Sequence, residues 1–190
     1  MGSTATPRPM RADARRNYER IVNVAREAFT EHGPEAPLDD IARRACVGPG
    51  TLYRHFPNRE ALIEAVYRAD VEKLTERAAE LAESHSPGDA LAEWVREHVG
   101  FVVQNHGLAA TLKAAMDRDS QTFALCKTML YDAAENMVVA AQDVGAIRDD
   151  IKPRDLLLMA HGIGSASQNS PDAAPRLVEV MLDGLRRQEP

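Results

Sequence analysis

Four side chains within nine residues can each hydrogen-bond a phosphate or a base edge: Thr51, Tyr53, Arg54 and His55 in the run Gly48-Pro-Gly-Thr-Leu-Tyr-Arg-His-Phe56. Leu52 and Phe56 stand at i, i+4 and so share one helical face, leaving the polar four on the other. Gly48-Pro49 can open such a helix and Pro57 halts it. A helix this short buries too little to be stable alone, so its exposed face is the reason for its existence. The chemistry offered is recognition of DNA rather than bond-making.

Other constellations are poorer. His98 and His106 are not at one-turn spacing, and there is no H-E-x-x-H, G-x-S-x-G, P-loop or dinucleotide fingerprint. No enzyme and no cofactor are expected. Cys46 and Cys126 lie far apart without C-x-x-C spacing, which favours a reducing, cytoplasmic setting over a disulfide framework or a zinc finger. Two sensing options stay open. Cys126, between Leu125 and Lys127, is either a redox sensor or an inert core thiol, and His98, Asp117 and His161 are possible metal ligands.

The elements that must position the polar run read as helices throughout. Aromatic residues are 5% of the 190, and no Asn-Gly or Asp-Gly hairpin turn occurs. The fold class is therefore all-α. A first helix is predicted over 17–32, with Ile21, Val24, Ala25, Ala28 and Phe29 inward and Gly33-Pro34 as its stop. A short second helix follows Pro37, with Leu38, Ile41, Ala42 and Ala45 inward and Asp39 and Asp40 in its first turn. Cys46-Val47-Gly48 makes the turn into the polar helix. Beyond it the pattern predicts helices over about 59–84, 89–105, a short one after Gly107, one from Ser120 to Val144, then 154–168 and 174–187. That makes nine helices: an arm over 1–16, a three-helix head over 17–63 and a six-helix body over 64–190. No apolar run approaches the roughly 20 residues needed to cross a bilayer, so no membrane partner is expected.

Charge divides the same way. The net charge is −6, yet residues 1–60 carry ten arginines against eight carboxylates, while the acidic excess lies in 61–190. Such asymmetry suits a DNA-facing head on an acidic body. Arg8, Arg11, Arg15 and Arg16 make the N-terminal arm basic, fitting either a solvated tail or an arm that touches DNA.

The run from Leu38 to Leu62, LDDIARRACVGPGTLYRHFPNREAL, resembles the helix-turn-helix signature of TetR-family transcriptional regulators over about residues 17–66. The body, through Asp117-Arg-Asp-Ser-Gln-Thr-Phe-Ala-Leu-Cys126 and Val180-Met-Leu-Asp-Gly-Leu185, is similar to an actinobacterial SbtR-like subgroup. The resemblance implies a homodimer whose recognition helices enter successive major grooves of double-stranded operator DNA. Thr51, Tyr53 and His55 would then contact phosphates or bases, with Arg59 in place of a lysine that grips the backbone. Gly48, Pro49 and Gly50 would let the helix N-terminus approach DNA, and Arg54 is the candidate reader of guanine O6 and N7. Two positions depart from the family pattern. Cys46 replaces a usual Gly in the turn, and Pro37 replaces a phosphate-contacting Thr or Ser.

For the body the resemblance implies a small-molecule inducer that releases a repressor from its operator. Trp94, His98, Phe101, Met116, Asp117, Phe123, Met129, Tyr131 and Met137 are candidates to surround an apolar or aromatic inducer, or to be plain core. Glu97 or Asp117 at the site would favour a cation. The last two helices carry small residues with Leu156, Met159, Ile163, Leu177, Val180, Met181 and Leu185, the expected four-helix dimer interface.

Overall fold

The computed structural model describes residues 8–115, 121–170 and 172–187. Among them are eight α-helices and no strand: α1 (Arg8–His32), α2 (Leu38–Arg44), α3 (Pro49–His55), α4 (Arg59–Ser84), α5 (Pro87–Ala115), α6 (Gln121–Asp143), α7 (Pro153–Ala166) and α8 (Ala173–Leu185). A 3-10 turn, Ser167–Asn169, follows α7. The all-α architecture is as expected, with two differences in the elements.

The first helix begins at Arg8, nine residues earlier than predicted, so positions 8–16 continue α1 rather than forming a loose arm. Arg15 pairs with Glu19 one turn on at 3.6 Å, and Arg16 pairs with Asp13. Such i, i+3 and i, i+4 pairs support a solvent-exposed helix. The second difference is at Gly107, where a break was expected and α5 runs on to Ala115. A glycine costs a helix interior about 1 kcal/mol, which surrounding packing can override. A Cβ built at Gly107 would meet Pro34 Cδ at 3.7 Å, so the site lies against the turn between α1 and α2. Eight α-helices stand among the described residues where nine were expected.

Two compact units can be distinguished. One holds the described residues up to Tyr67 together with Gly107–Ala115, and the other holds the described residues of 68–106 and 121–187. The boundary expected after residue 63 thus falls one turn later, and the end of α5 joins the head.

In the head, Ile21, Ala25, Ala28 and Phe29 of α1 meet Ile41 and Ala42 of α2, Leu52 of α3 and Leu62, Ile63 and Val66 of α4 in a buried core. An ion pair ties α2 to α1, Arg44 Nη2 reaching Glu31 Oε2 at 2.8 Å, while within α2 the Arg44 Nε reaches Asp40 Oδ2 at 3.0 Å. The hydrogen bond from Arg44 holds the Glu31 carboxyl below its ordinary value, and Arg43 does the same for Asp40. Asn58 Oδ1 accepts from the Ala61 amide at 2.8 Å and caps the start of α4.

The second unit buries Leu74, Leu81, Leu91, Trp94, Val95, Val138, Leu156 and Val178 in one cluster. Trp94 Nε1 donates to the Leu74 carbonyl at 3.0 Å, so the indole enters the core with its polar atom satisfied. Helices α5 and α7 approach so closely that a Cβ at Gly164 would lie 2.6 Å from Val102 Cβ. Arg96 clasps Glu179 through Nε at 2.8 Å and Nη2 at 3.2 Å, joining α5 to α8.

Candidate nucleic-acid interface and sensor site

The turn that presents α3 is set by a hydrogen-bonded cap. At the end of α2 the Val47 amide donates to the Ala42 carbonyl at 3.0 Å and the Cys46 amide to the Arg43 carbonyl at 3.1 Å. This is the Schellman arrangement, which requires a left-handed residue in its second-last place. Cys46 fills that place with φ of 51°, alone among described non-glycine residues in having a positive φ. The same cap ends α6, with Gly145 amide to Gln142 carbonyl at 2.8 Å and Ala146 amide to Ala141 carbonyl at 2.9 Å, and there the left-handed residue is a glycine.

Gly48 then caps α3 and Pro49 occupies its first turn. Leu52 and Phe56 are almost wholly buried and anchor α3 to the head, as expected. Phe56 packs on Tyr18 of α1 with ring centroids 5.0 Å apart. On the opposite face Tyr53 and Arg54 are exposed, as are Gly48, Pro49 and Gly50. Nothing lies within 4 Å of a Cβ built at Gly48 or Gly50, and neither has a positive φ. Neither glycine is demanded by the protein's own packing or backbone, which leaves close approach by something external as a reason for both.

Three expected contact residues sit differently. Thr51 and His55 are half-buried rather than fully outward, and the His55 ring meets Tyr18 edge-on at 6.1 Å. Arg59 is turned inward, its Nη1 donating to the carbonyls of Pro34 at 2.8 Å and Ala36 at 2.5 Å. Those carbonyls belong to the turn before α2 and have no helical partner there, so the guanidinium locks that turn. Pro37 is the N-cap of α2 and supplies no side-chain hydrogen bond.

In the second unit the expected sensor residues divide between core and surface. Trp94 is fully buried and Met137 nearly so. Phe101 is half-buried, 6.2 Å from the ring of His98, which lies 5.3 Å from Trp94. Met129 is half-buried, while Phe123 and Tyr131 are on the surface. Met116 and Asp117 lie outside the described residues. Glu97 is engaged with Arg77 at 2.9 Å. His98 is buried, and its Nδ1 has no hydrogen-bond partner. Burial first, and the neighbouring charge of His161 second, push its pKa down to about 4, so the imidazole is neutral near pH 7. Cys126 is buried and Cys46 exposed. Among the described residues no group of three or more His, Cys, Asp or Glu is placed to hold a metal ion.

A pocket of about 220 Å³ opens elsewhere in this unit, between α4, the start of α5 and α6. Of the expected sensor residues only Met137 lines it. The signal in the sequence was a shared i, i+3, i+4, i+7 spacing: the small residues Thr75, Ala78, Ala79 and Ala82 on α4, and Ala133, Asn136, Met137 and Ala140 on α6, where the two end positions are small.

The expected dimer residues divide between two roles. Leu156, Met181 and Leu185 are buried in the unit's own core, and Met159 and Ile163 are half-buried. Leu177 is 42% and Val180 70% exposed on α8. Leu158 of α7, at 59%, was missed because its neighbours Leu156 and Leu157 gave no sign of which one turns outward.

Residues 21–66 match the family described as bacterial regulatory proteins, tetR family, and residues 86–187 match the transcriptional regulator SbtR-like C-terminal domain. The HTH-type transcriptional regulator UidR of Escherichia coli is 30% identical over 162 residues, covering 81% of this chain and 83% of that protein. A TetR transcriptional regulator from Streptomyces coelicolor is 35% identical with a TM-score of 0.78, covering 90% of this chain and 99% of the other. A TetR regulatory protein from Mycobacterium vanbaalenii is 32% identical, also at 0.78, covering 94% and 100%. No described helix is long and apolar enough to cross a membrane.

Proposed function

Since the chain belongs to the TetR family of DNA-binding transcriptional regulators, we propose that it is a homodimeric repressor that a small apolar molecule releases from its operator. The observation that carries this reading is α3 itself. One face is anchored by Leu52 and Phe56, and the other holds Tyr53 and Arg54 out to solvent beside a glycine-flanked N-terminus. Arg54 reads a base edge and Tyr53 positions the helix on the backbone. Thr51 and His55 support that face from half-buried positions, and Arg59 holds the turn before α2 in place.

Two heads must sit about 34–36 Å apart to enter successive grooves on one side of DNA. Leu158, Leu177 and Val180, exposed on α7 and α8, supply the apolar surface for pairing two copies. Helix α4 is continuous from the head residues Arg59–Tyr67 into the second unit. A ligand that favours one setting of α4 over another shifts the head spacing by its differential binding energy. A retardation assay on DNA flanking the protein's own gene tests the reading. A sequence-specific complex is expected, and Arg54→Ala should relax base preference by about 1–3 kcal/mol at one position. Absence of any sequence-specific complex would overturn it.

A further inference from the structure

We infer that the pocket between α4, α5 and α6 is a binding site for a small, neutral, largely apolar molecule built on one aromatic ring. The inference gives the ligand-responsive reading its ligand class and rests on that reading for its regulatory meaning. The pocket measures about 220 Å³, and a cavity of about 150 Å³ walled by apolar side chains holds a benzene ring. One ring with a short substituent therefore fits, whereas the cavities that take larger ligands start at about 300 Å³.

The walls set the polarity. Ala78 and Ala82 of α4, Ala90 of α5 and Ala133 and Ala140 of α6 are apolar, and none of the residues lining the pocket carries a charge. An ion entering it would lose hydration without a counter-charge, which selects against carboxylates and ammonium groups. Two polar groups remain at the wall. The Thr75 hydroxyl donates to the Glu72 carbonyl at 2.8 Å, which leaves its oxygen as an acceptor, and Asn136 contributes an amide. A ligand with one hydroxyl or similar donor is thereby matched.

The small side chains also explain why the space exists. Ala78, Ala79 and Ala82 on α4 and Ala133 and Ala140 on α6 line the pocket where leucine or isoleucine would close the gap. Thr75 lies eight residues along the same helix from Tyr67, the last α4 residue of the head. That is about 12 Å at 1.5 Å per residue, so an occupant presses on the helix that carries the head.

Size-matched probes test the inference on the full chain without DNA: p-cresol and toluene against benzoate and benzylamine, followed by ligand-observed NMR titration. The neutral pair should bind at least about tenfold more tightly than the charged pair. Ala133→Leu, which fills the pocket from its buried wall, should weaken p-cresol at least about fivefold. Ala140→Leu does the same from the exposed rim, where folding is less at risk, and emission from Trp94 checks that both variants are folded. Equal affinity for all four probes, or undiminished p-cresol binding in both folded variants, would overturn the inference. Operator affinity measured in parallel keeps the two readings apart. Probe binding with no effect on the operator complex supports the pocket and removes only its regulatory role, whereas loss of the operator complex in unliganded protein would strike the repressor reading alone.

Discussion

Replacing Cys46 with glycine should stabilise the head. The Schellman cap holds Cys46 at φ of 51°, where a Cβ crowds the backbone at a cost of about 1–2 kcal/mol. Little is lost in exchange. The thiol is exposed, and its one hydrogen-bond contact is a weak one from Sγ to the Arg44 carbonyl at 3.9 Å. Glycine's greater freedom in the unfolded chain takes back about 0.5–1 kcal/mol. The net gain is about 0.5–1 kcal/mol, and Gly145 in the same cap at the end of α6 is the internal precedent. In a chain of this length that corresponds to about 1–4 °C in Tm if it melts as one, and more if the head melts separately. Circular dichroism melts of wild type and Cys46→Gly, with operator affinity measured by fluorescence anisotropy, supply both readouts. A higher Tm with unchanged affinity is expected. An unchanged or lower Tm would show that any strain at Cys46 is no larger than glycine's unfolded-chain cost and would refute the predicted gain, and weaker DNA binding would show that the thiol does more than fill the turn.

Further outcomes follow from the same geometry. Gly50→Ala should leave stability unchanged or raise it by about 0.5 kcal/mol while weakening operator binding, because only external approach is obstructed; equal DNA affinity would contradict the role given to that glycine. His98 is neutral when folded, with a pKa depressed from 6.5 to about 4, so its stability contribution is complete above pH 6.5 and is lost as pH falls toward 4. About 2 kcal/mol should disappear between about pH 7.5 and pH 5, and His98→Leu should remove that dependence; parallel melts of the two proteins across this range decide it. Val180→Glu and Leu158→Glu should each give a folded monomer by sedimentation, since both side chains leave the monomer's core untouched; persistence of a dimer in both would move the interface elsewhere.

Local chemistry was the legible part of the chain. Leu52 and Phe56 at i, i+4, the Gly48-Pro49 opening and the Pro57 stop are contained in nine residues, and α3 follows from them. Helix α4 was equally readable, predicted over about 59–84 and found over Arg59–Ser84. Gly107 was misread because a local propensity of about 1 kcal/mol is smaller than what packing can override. The inward turn of Arg59 was invisible because its acceptors lie 23 and 25 residues upstream. The same limit applies to α7 and α8. An apolar row on an amphipathic helix does not say whether it meets its own core, as Leu156, Met181 and Leu185 do, or faces outward, as Leu158 and Val180 do. The alanines around the pocket had readable spacing, but small residues equally signal close helix contact, as at Gly164, and only the helix positions decide which.

The most direct test of the central claim is operator affinity as a function of salt, using DNA flanking the gene. If two α3 helices dock on one operator with ~6–10 phosphate contacts, affinity should fall by a factor of ~10³–10⁵ between ~50 and ~200 mM salt. Arg54→Ala should lose discrimination between operator and scrambled DNA while keeping most of that salt slope. A shallow salt dependence, or an Arg54→Ala protein that discriminates as well as the wild type, would contradict the account.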